Sequence, residues 1–178
     1  MRPEDLRLIP RAAQAIREAN ELGVKVFVIT NQSGIARGLL TEQDLESIHM
    51  RLRTELAKDG AHLNGIYYCP HHPEYGGVQY QKVCTCRKPR TGMLTQAADE
   101  HHITLASSFV IGDRCVDMLA GEQAGCGTVL VLTGYGTIEK DECLTAARVD
   151  HVSPDAYDAW QYVRQQLQQH ERRKGFSA

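Results

Sequence analysis

The chain is 178 residues long, 42 % hydrophobic, with a formal charge of −2 from 20 basic and 22 acidic side chains. That length buries a core in one domain without disulfides, and the near-balanced charge gives nucleic acid or an acidic membrane surface no electrostatic hold. With neither a signal-peptide core nor a spanning apolar stretch, the reading is a cytoplasmic protein with no nucleic-acid or membrane partner, whose six cysteines are metal ligands or free thiols.

From Ile9 to Leu22, apolar residues at Ile9, Ala12, Ala13, Ile16, Ala19 and Leu22 predict an amphipathic helix, with Pro10 in its first turn and Gly23 at its stop. Val24 to Thr30 follows as a β-branched run with the near-continuous apolarity of a buried parallel strand. Thr41 and Asp44 cap a second helix carrying Leu45, Ile48, Leu52 and Leu56 on one face and closed by Gly60; Gly65 to Cys69 is the next strand. Pro70 to Pro89, rich in Pro, Gly, His and Cys, has no lasting period and reads as an inserted loop. The alternation then resumes: helix from Met93 to His102, strand from Phe109 to Ile111, helix from Val116 to Ala124, strand from Thr128 to Leu132. A last helix over about 154–172 carries Ala156, Trp160 and Val163 at helical spacing and frays in the polar run "QQLQQHERRK". The expectation is an α/β fold over 1–178 as a single domain, without repeat or linker.

The loop spanning 69–89 holds two tight pairs, Cys69-x-His71 and Cys84-x-Cys86, the four ligands that a tetrahedral zinc site needs. Filling all four positions with protein leaves no place for a reactive water, so the zinc is assigned to structure. His72 in place of His71 is the alternative ligand, and Cys115, Cys126 and Cys143 are left to ordinary packing.

Thr30, Lys88 and Asp113 stand at or just beyond strand ends, where α/β folds place ligands. Singly they read as a strand end, a surface lysine and a helix cap; together they are a hydroxyl donor, an ammonium and a metal-binding carboxylate, the parts that stabilise a transferring phosphoryl group. The stretches "VITNQSGIARG", "CPHHP", "CTCRKP" and "VIGDRCVDM" resemble the haloacid-dehalogenase (HAD) phosphatases. Within them the D-glycero-D-manno-heptose 1,7-bisphosphate phosphatases are the nearest in kind, with the histidinol-phosphate phosphatases as relatives sharing the zinc loop. The resemblance implies a Rossmann-like HAD fold with a parallel sheet and a zinc-binding insertion. It implies that Thr30 and Lys88 hold the phosphoryl group, that Asp113 ligates Mg²⁺, and that Asn31, Gln32, Ser33, Arg87 and Arg114 contact substrate. Asp117 would orient the metal site from behind. The partner implied is a small phosphorylated sugar, bound by a monomer.

Such enzymes attack through an aspartate that becomes phosphorylated, with a second aspartate two residues on as proton donor. No Asp-x-Asp occurs in the 178 residues. In the implied strand order 5-4-1-2-3 the missing motif sits on the central first strand. Its loss would separate strands normally about 4.8 Å apart and leave backbone groups unpaired at about 1–3 kcal/mol each. The expectation is therefore a polypeptide that starts upstream of Met1 and is inactive as written. The alternatives are a non-catalytic descendant that binds phosphorylated sugars or a protein, and a zinc-stabilised interaction module.

Overall fold

Helix and strand alternate as the sequence periods predict in the computed structural model, which describes residues 3–175 and, from 170 onward, the side chain of Arg172 alone. The chain divides into two compact units, up to Leu105 and from Ala106.

In the first unit, α1 (Ala12–Glu21) begins later than its apolar pattern, because Pro10 lies in the preceding turn and Arg11 takes a left-handed conformation at φ 64°. Its Ala13 packs with Leu56, Ala61 and Leu63, and Leu8, Ile16, Val26 and Val28 close around them. Burying a leucine such as Leu56 contributes about 1.5–3 kcal/mol. β1 (Phe27–Asn31) also starts late. The Val24 N–H is committed to Ala19 O and the Val26 N–H to Asn64 Oδ1, so the ladder begins only at Phe27. The short α2 (Ser33–Ala36) follows at once.

The expected cap of α3 (Glu42–Lys58) is present as a closed box: Asp44 N–H donates to Thr41 Oγ1 at 3.0 Å, and Thr41 N–H to Asp44 Oδ2 at 2.8 Å. Gly60, at φ +74°, reverses the chain after it. β2 (Gly65–Cys69) pairs parallel with β1, from Phe27 opposite Gly65 to Asn31 opposite Cys69. The loop beyond contains one helical turn, α4 (Gly77–Tyr80), and leads to α5 (Gly92–His101).

The second unit runs β3 (Phe109–Gly112), α6 (Cys115–Gln123), β4 (Gly127–Val131), α7 (Gly136–Ala146), β5 (His151–Ser153) and α8 (Ala156–Gly175). Neither α7 nor β5 is foreseen from the periodicity. The polar run at the end does not fray; α8 continues through it, and glutamine, glutamate and arginine are good helix formers. Met118, Leu130, Cys115 and Cys143 form the core between α6, β4 and α7, and Cys115, Cys126 and Cys143 are all buried free thiols, as ordinary packing predicts.

All strand pairings are parallel, in two sheets ordered β1-β2 and β3-β4-β5. The implied order without its first strand leaves those groupings, with β5 added outside β4. Burial follows the pairing: β4, flanked on both sides, is buried at Thr128 through Val131, whereas every residue of β1 is half-buried and Ile111 of β3 is 40 % exposed. Among the described residues no helix is long and apolar enough to cross a membrane.

Candidate active site

The β1–β2 register brings the two predicted clusters of the first unit side by side, because Thr30 lies opposite Tyr68 and Asn31 opposite Cys69. Cys69 ends β2 fully buried. The chain then folds back on itself through hydrogen bonds of His72 N–H to Tyr80 O and Lys82 N–H to His72 O, both 3.1 Å, which return Cys84 and Cys86 to Cys69. One ligand atom from each of Cys69, His71, Cys84 and Cys86 lies within 4.8 Å of all the others. Cys86 Sγ is 3.0 Å from Cys69 Sγ and 3.3 Å from Cys84 Sγ and from His71 Nδ1, and Cys69 Sγ is 3.5 Å from Cys84 Sγ.

Zn–S bonds of about 2.3 Å in a tetrahedron put the sulfurs about 3.8 Å apart, so this donor set fits zinc with a slight expansion. Burial, and then the facing Cys86 thiol, push the Cys69 thiol upward; a cation at the centre reverses that balance, since coordination deprotonates a thiol. Of the adjacent histidines only His71 joins the cluster. His72 turns away: its Nδ1 accepts from Glu74 N–H at 3.1 Å, its Nε2 faces Arg37 Nη2 at 3.4 Å, and its ring packs on Tyr75 at 4.7 Å.

At the carboxyl end of β1 the Thr30 hydroxyl oxygen accepts from Gln32 Nε2 at 3.1 Å, leaving its own proton to donate. Lys88 Nζ donates to Ile29 O at 2.7 Å, which holds the ammonium at the same strand end as Thr30. Asn31 grips the Lys88 main chain at two points, accepting Lys88 N–H at Oδ1 (3.0 Å) and donating from Nδ2 to Lys88 O (3.1 Å). Arg87 Nη1 donates to His71 O at 3.1 Å, so this predicted substrate contact is tied to the metal loop. Ser33 opens α2, half-buried.

In the second unit Asp113 follows β3, and its Oδ2 accepts the Tyr135 N–H at 2.9 Å. Asp117 is buried; its Oδ2 accepts the Arg114 N–H at 3.1 Å and so caps α6. A Cβ on Gly112 would meet Asp117 Cβ and Oδ2 at 2.5 Å, so only glycine lets that carboxylate lie against the strand. Arg114, predicted to contact substrate, is bound by Glu139 and laid over the Tyr135 ring at 4.4 Å. Magnesium is commonly held by one or two carboxylates with waters and phosphate oxygens. Asp113 offers a carboxylate of that kind, bonded to the Tyr135 N–H, whereas Asp117 is turned to the helix terminus. Glu139, Tyr135, Arg37 and Tyr75 escape the sequence reading because each acts across a distance in sequence that no local pattern marks.

The HAD-hydrolase-like family model matches residues 85–159. The D-glycero-β-D-manno-heptose-1,7-bisphosphate 7-phosphatase of Vibrio cholerae is 40 % identical over 149 residues, 83 % of this chain and 80 % of its own. The protein of the same name from Escherichia coli strain K12 is 44 % identical over 132 residues, 74 % of this chain and 69 % of its own. Among solved structures, the D,D-heptose 1,7-bisphosphate phosphatase from B. bronchiseptica, complexed with magnesium and phosphate, matches with a TM-score of 0.79 at 32 % identity over 93 % of this chain and 88 % of that one. The one from Burkholderia thailandensis matches at 0.65 and 26 % identity over 89 % and 87 %. With relatives 40–44 % identical over 69–80 % of their own length, the chain belongs to the HAD-type phosphatases, phosphomonoesterases among the hydrolases.

Proposed function

We propose that the chain binds D-glycero-β-D-manno-heptose 1,7-bisphosphate and belongs to the chemistry that hydrolyses its 7-phosphate through a phospho-aspartate. The observation that carries this reading is the meeting of Thr30 and Lys88 at the end of β1, beside a Cys₃His cluster, in a chain whose relatives are named for that substrate. The Thr30 hydroxyl and the Lys88 ammonium take the phosphoryl oxygens, as a transferring phosphoryl group requires. In the first unit Gln32, Ser33 and Arg87 are read as sugar contacts, and in the second unit Arg114 is read as a substrate contact. Asp113 supplies a carboxylate to Mg²⁺, which would neutralise phosphate charge, and Zn²⁺ on Cys69, His71, Cys84 and Cys86 orders the loop that carries Arg87 and Lys88. Histidinol phosphate is the disfavoured substrate. We read the protein as a cytoplasmic monomer and its two units as one domain, a reading supported by the single match that runs along 93 % of the chain.

The 178 residues contain no Asp-x-Asp, which favours a second reading for this chain alone, binding of the phosphosugar without turnover. Titration calorimetry with Mg²⁺ and zinc-loaded protein tests both. The expected result is tighter binding of the heptose bisphosphate than of histidinol phosphate, lost in Lys88→Met, with phosphate release no faster than in Asp113→Asn. Preference for histidinol phosphate would overturn the substrate. Mg²⁺-dependent release above the Asp113→Asn control would overturn the second reading.

A further inference from the structure

Asn31 carries more of the site than a substrate contact would. It ends β1 opposite the buried cluster residue Cys69, and its side-chain amide engages both main-chain groups of one residue, the N–H and the C=O of Lys88, 57 residues away. An amide is suited to this: it offers one acceptor and two donors in a plane, matching the N–H and C=O of a main-chain residue the way a neighbouring strand would. Lys88 lies in a loop with no ladder of its own, two residues after the cluster residue Cys86. Its ammonium nevertheless lands at a defined place, 2.7 Å from Ile29 O. The Asn31 grip on its backbone and the carbonyl at its tip both constrain it.

We infer that Asn31 is a positioning residue that sets the Lys88 ammonium at the phosphoryl subsite by binding the main-chain N–H and C=O of Lys88, and is not itself a phosphate ligand. This rests on the reading of Lys88 as a phosphoryl-holding residue, but the geometry it asserts holds without any ligand. Without the grip, the Lys88 main chain loses two hydrogen bonds that place it, and a point charge on a flexible stem loses preorganisation. Aspartate at 31 would keep the acceptor for Lys88 N–H and lose the donor to Lys88 O.

Two readouts separate this inference from the function it rests on. The first is the Lys88 ¹³Cε resonance in lysine-labelled, zinc-loaded, phosphate-free protein, assigned with Lys88→Arg. Asn31→Ala should shift it and leave the other five lysines in place, with Asn31→Asp giving a smaller shift. The second is affinity for inorganic phosphate. Losing two hydrogen bonds should weaken it about tenfold in Asn31→Ala, while the double variant Asn31→Ala/Lys88→Met binds no more weakly than Lys88→Met alone. One zinc per chain in every variant excludes collapse of the loop as the cause. An unmoved Lys88 resonance overturns the inference. So do losses that add in the double variant, which would make Asn31 a direct ligand. If the wild-type chain takes up no phosphate, the functional reading falls, and the resonance alone still decides whether Asn31 positions Lys88.

Discussion

Glu139 holds Arg114 with one carboxylate oxygen, receiving Nε at 2.8 Å and Nη2 at 2.7 Å, while its other oxygen takes the Cys115 N–H at 2.8 Å. One side chain of α7 thus fixes both the arginine beside Asp113 and the first turn of α6. Because the Arg114 side chain is 47 % exposed, the ion pair is screened, and Arg114→Ala should cost only about 0–1 kcal/mol. Glu139→Ala also removes a helix-terminal acceptor and should cost about 1–2 kcal/mol. Urea titration of the two variants checks the order, and a larger loss for Arg114→Ala would contradict it.

The metal loop makes a sharper claim about neighbours. His71→Ala should abolish stoichiometric zinc, measured by mass spectrometry of the metal, whereas His72→Ala should keep it, because the His72 nitrogens face Glu74 and Arg37. Cobalt substitution should give the intense visible bands of tetrahedral thiolate coordination in wild type and in His72→Ala. Chelation should lower the melting temperature of wild type and leave His71→Ala unmoved, since metal binding to a folded site adds directly to stability.

His49 provides a pH handle. It is buried on α3 against the Tyr68 ring, 5.8 Å between centroids, and burial lowers its pKa from 6.5; Glu46 opposes the shift and Arg53 adds to it. Below about pH 6.5 the unfolded chain therefore binds a proton that the folded one resists, and stability falls as the pH drops. Melting temperature should decline between pH 7 and pH 5 more steeply in wild type than in His49→Leu. Equal slopes would remove His49 from the acid sensitivity.

Gly136 opens α7 where a Cβ would clash with Val131 O, a backbone atom that cannot swing aside. Gly136→Ala should therefore cost about 1–3 kcal/mol by overpacking. A variant as stable as wild type in thermal unfolding would mean that the β4–α7 connection yields more easily than its contacts imply.

Much of this was legible where the signal is local. The Thr41–Asp44 box, the leucine stripe of α3, the β-branched runs of β1 and β4 and the two metal-loop pairs each lie within one element or a few residues. What escaped was set elsewhere. α7 reads "GTIEKDECLTA", with Ile138 80 % exposed and Cys143 fully buried, so no apolar stripe announces it. β5 is three residues long, too short to show a period. The start of β1 was decided by Asn64, 38 residues downstream of Val26. In the site, residue types marked which side chains matter, but the direction in which Asn31, Gln32 and Arg114 point depends on Lys88, Thr30 and Glu139, and a list of polar residues cannot distinguish an inward amide from one aimed at a ligand.

The unequal burial of the strands sets an order of opening. β4 is bracketed by β3 and β5 and sealed from solvent, so its amide protons should exchange with deuterium only when its unit unfolds as a whole. Among the described residues β1 is laddered to β2 alone and β3 to β4 alone, and their N–H groups that point away from those ladders should label before any in β4, so the strand that carries Thr30 is among those solvent samples early.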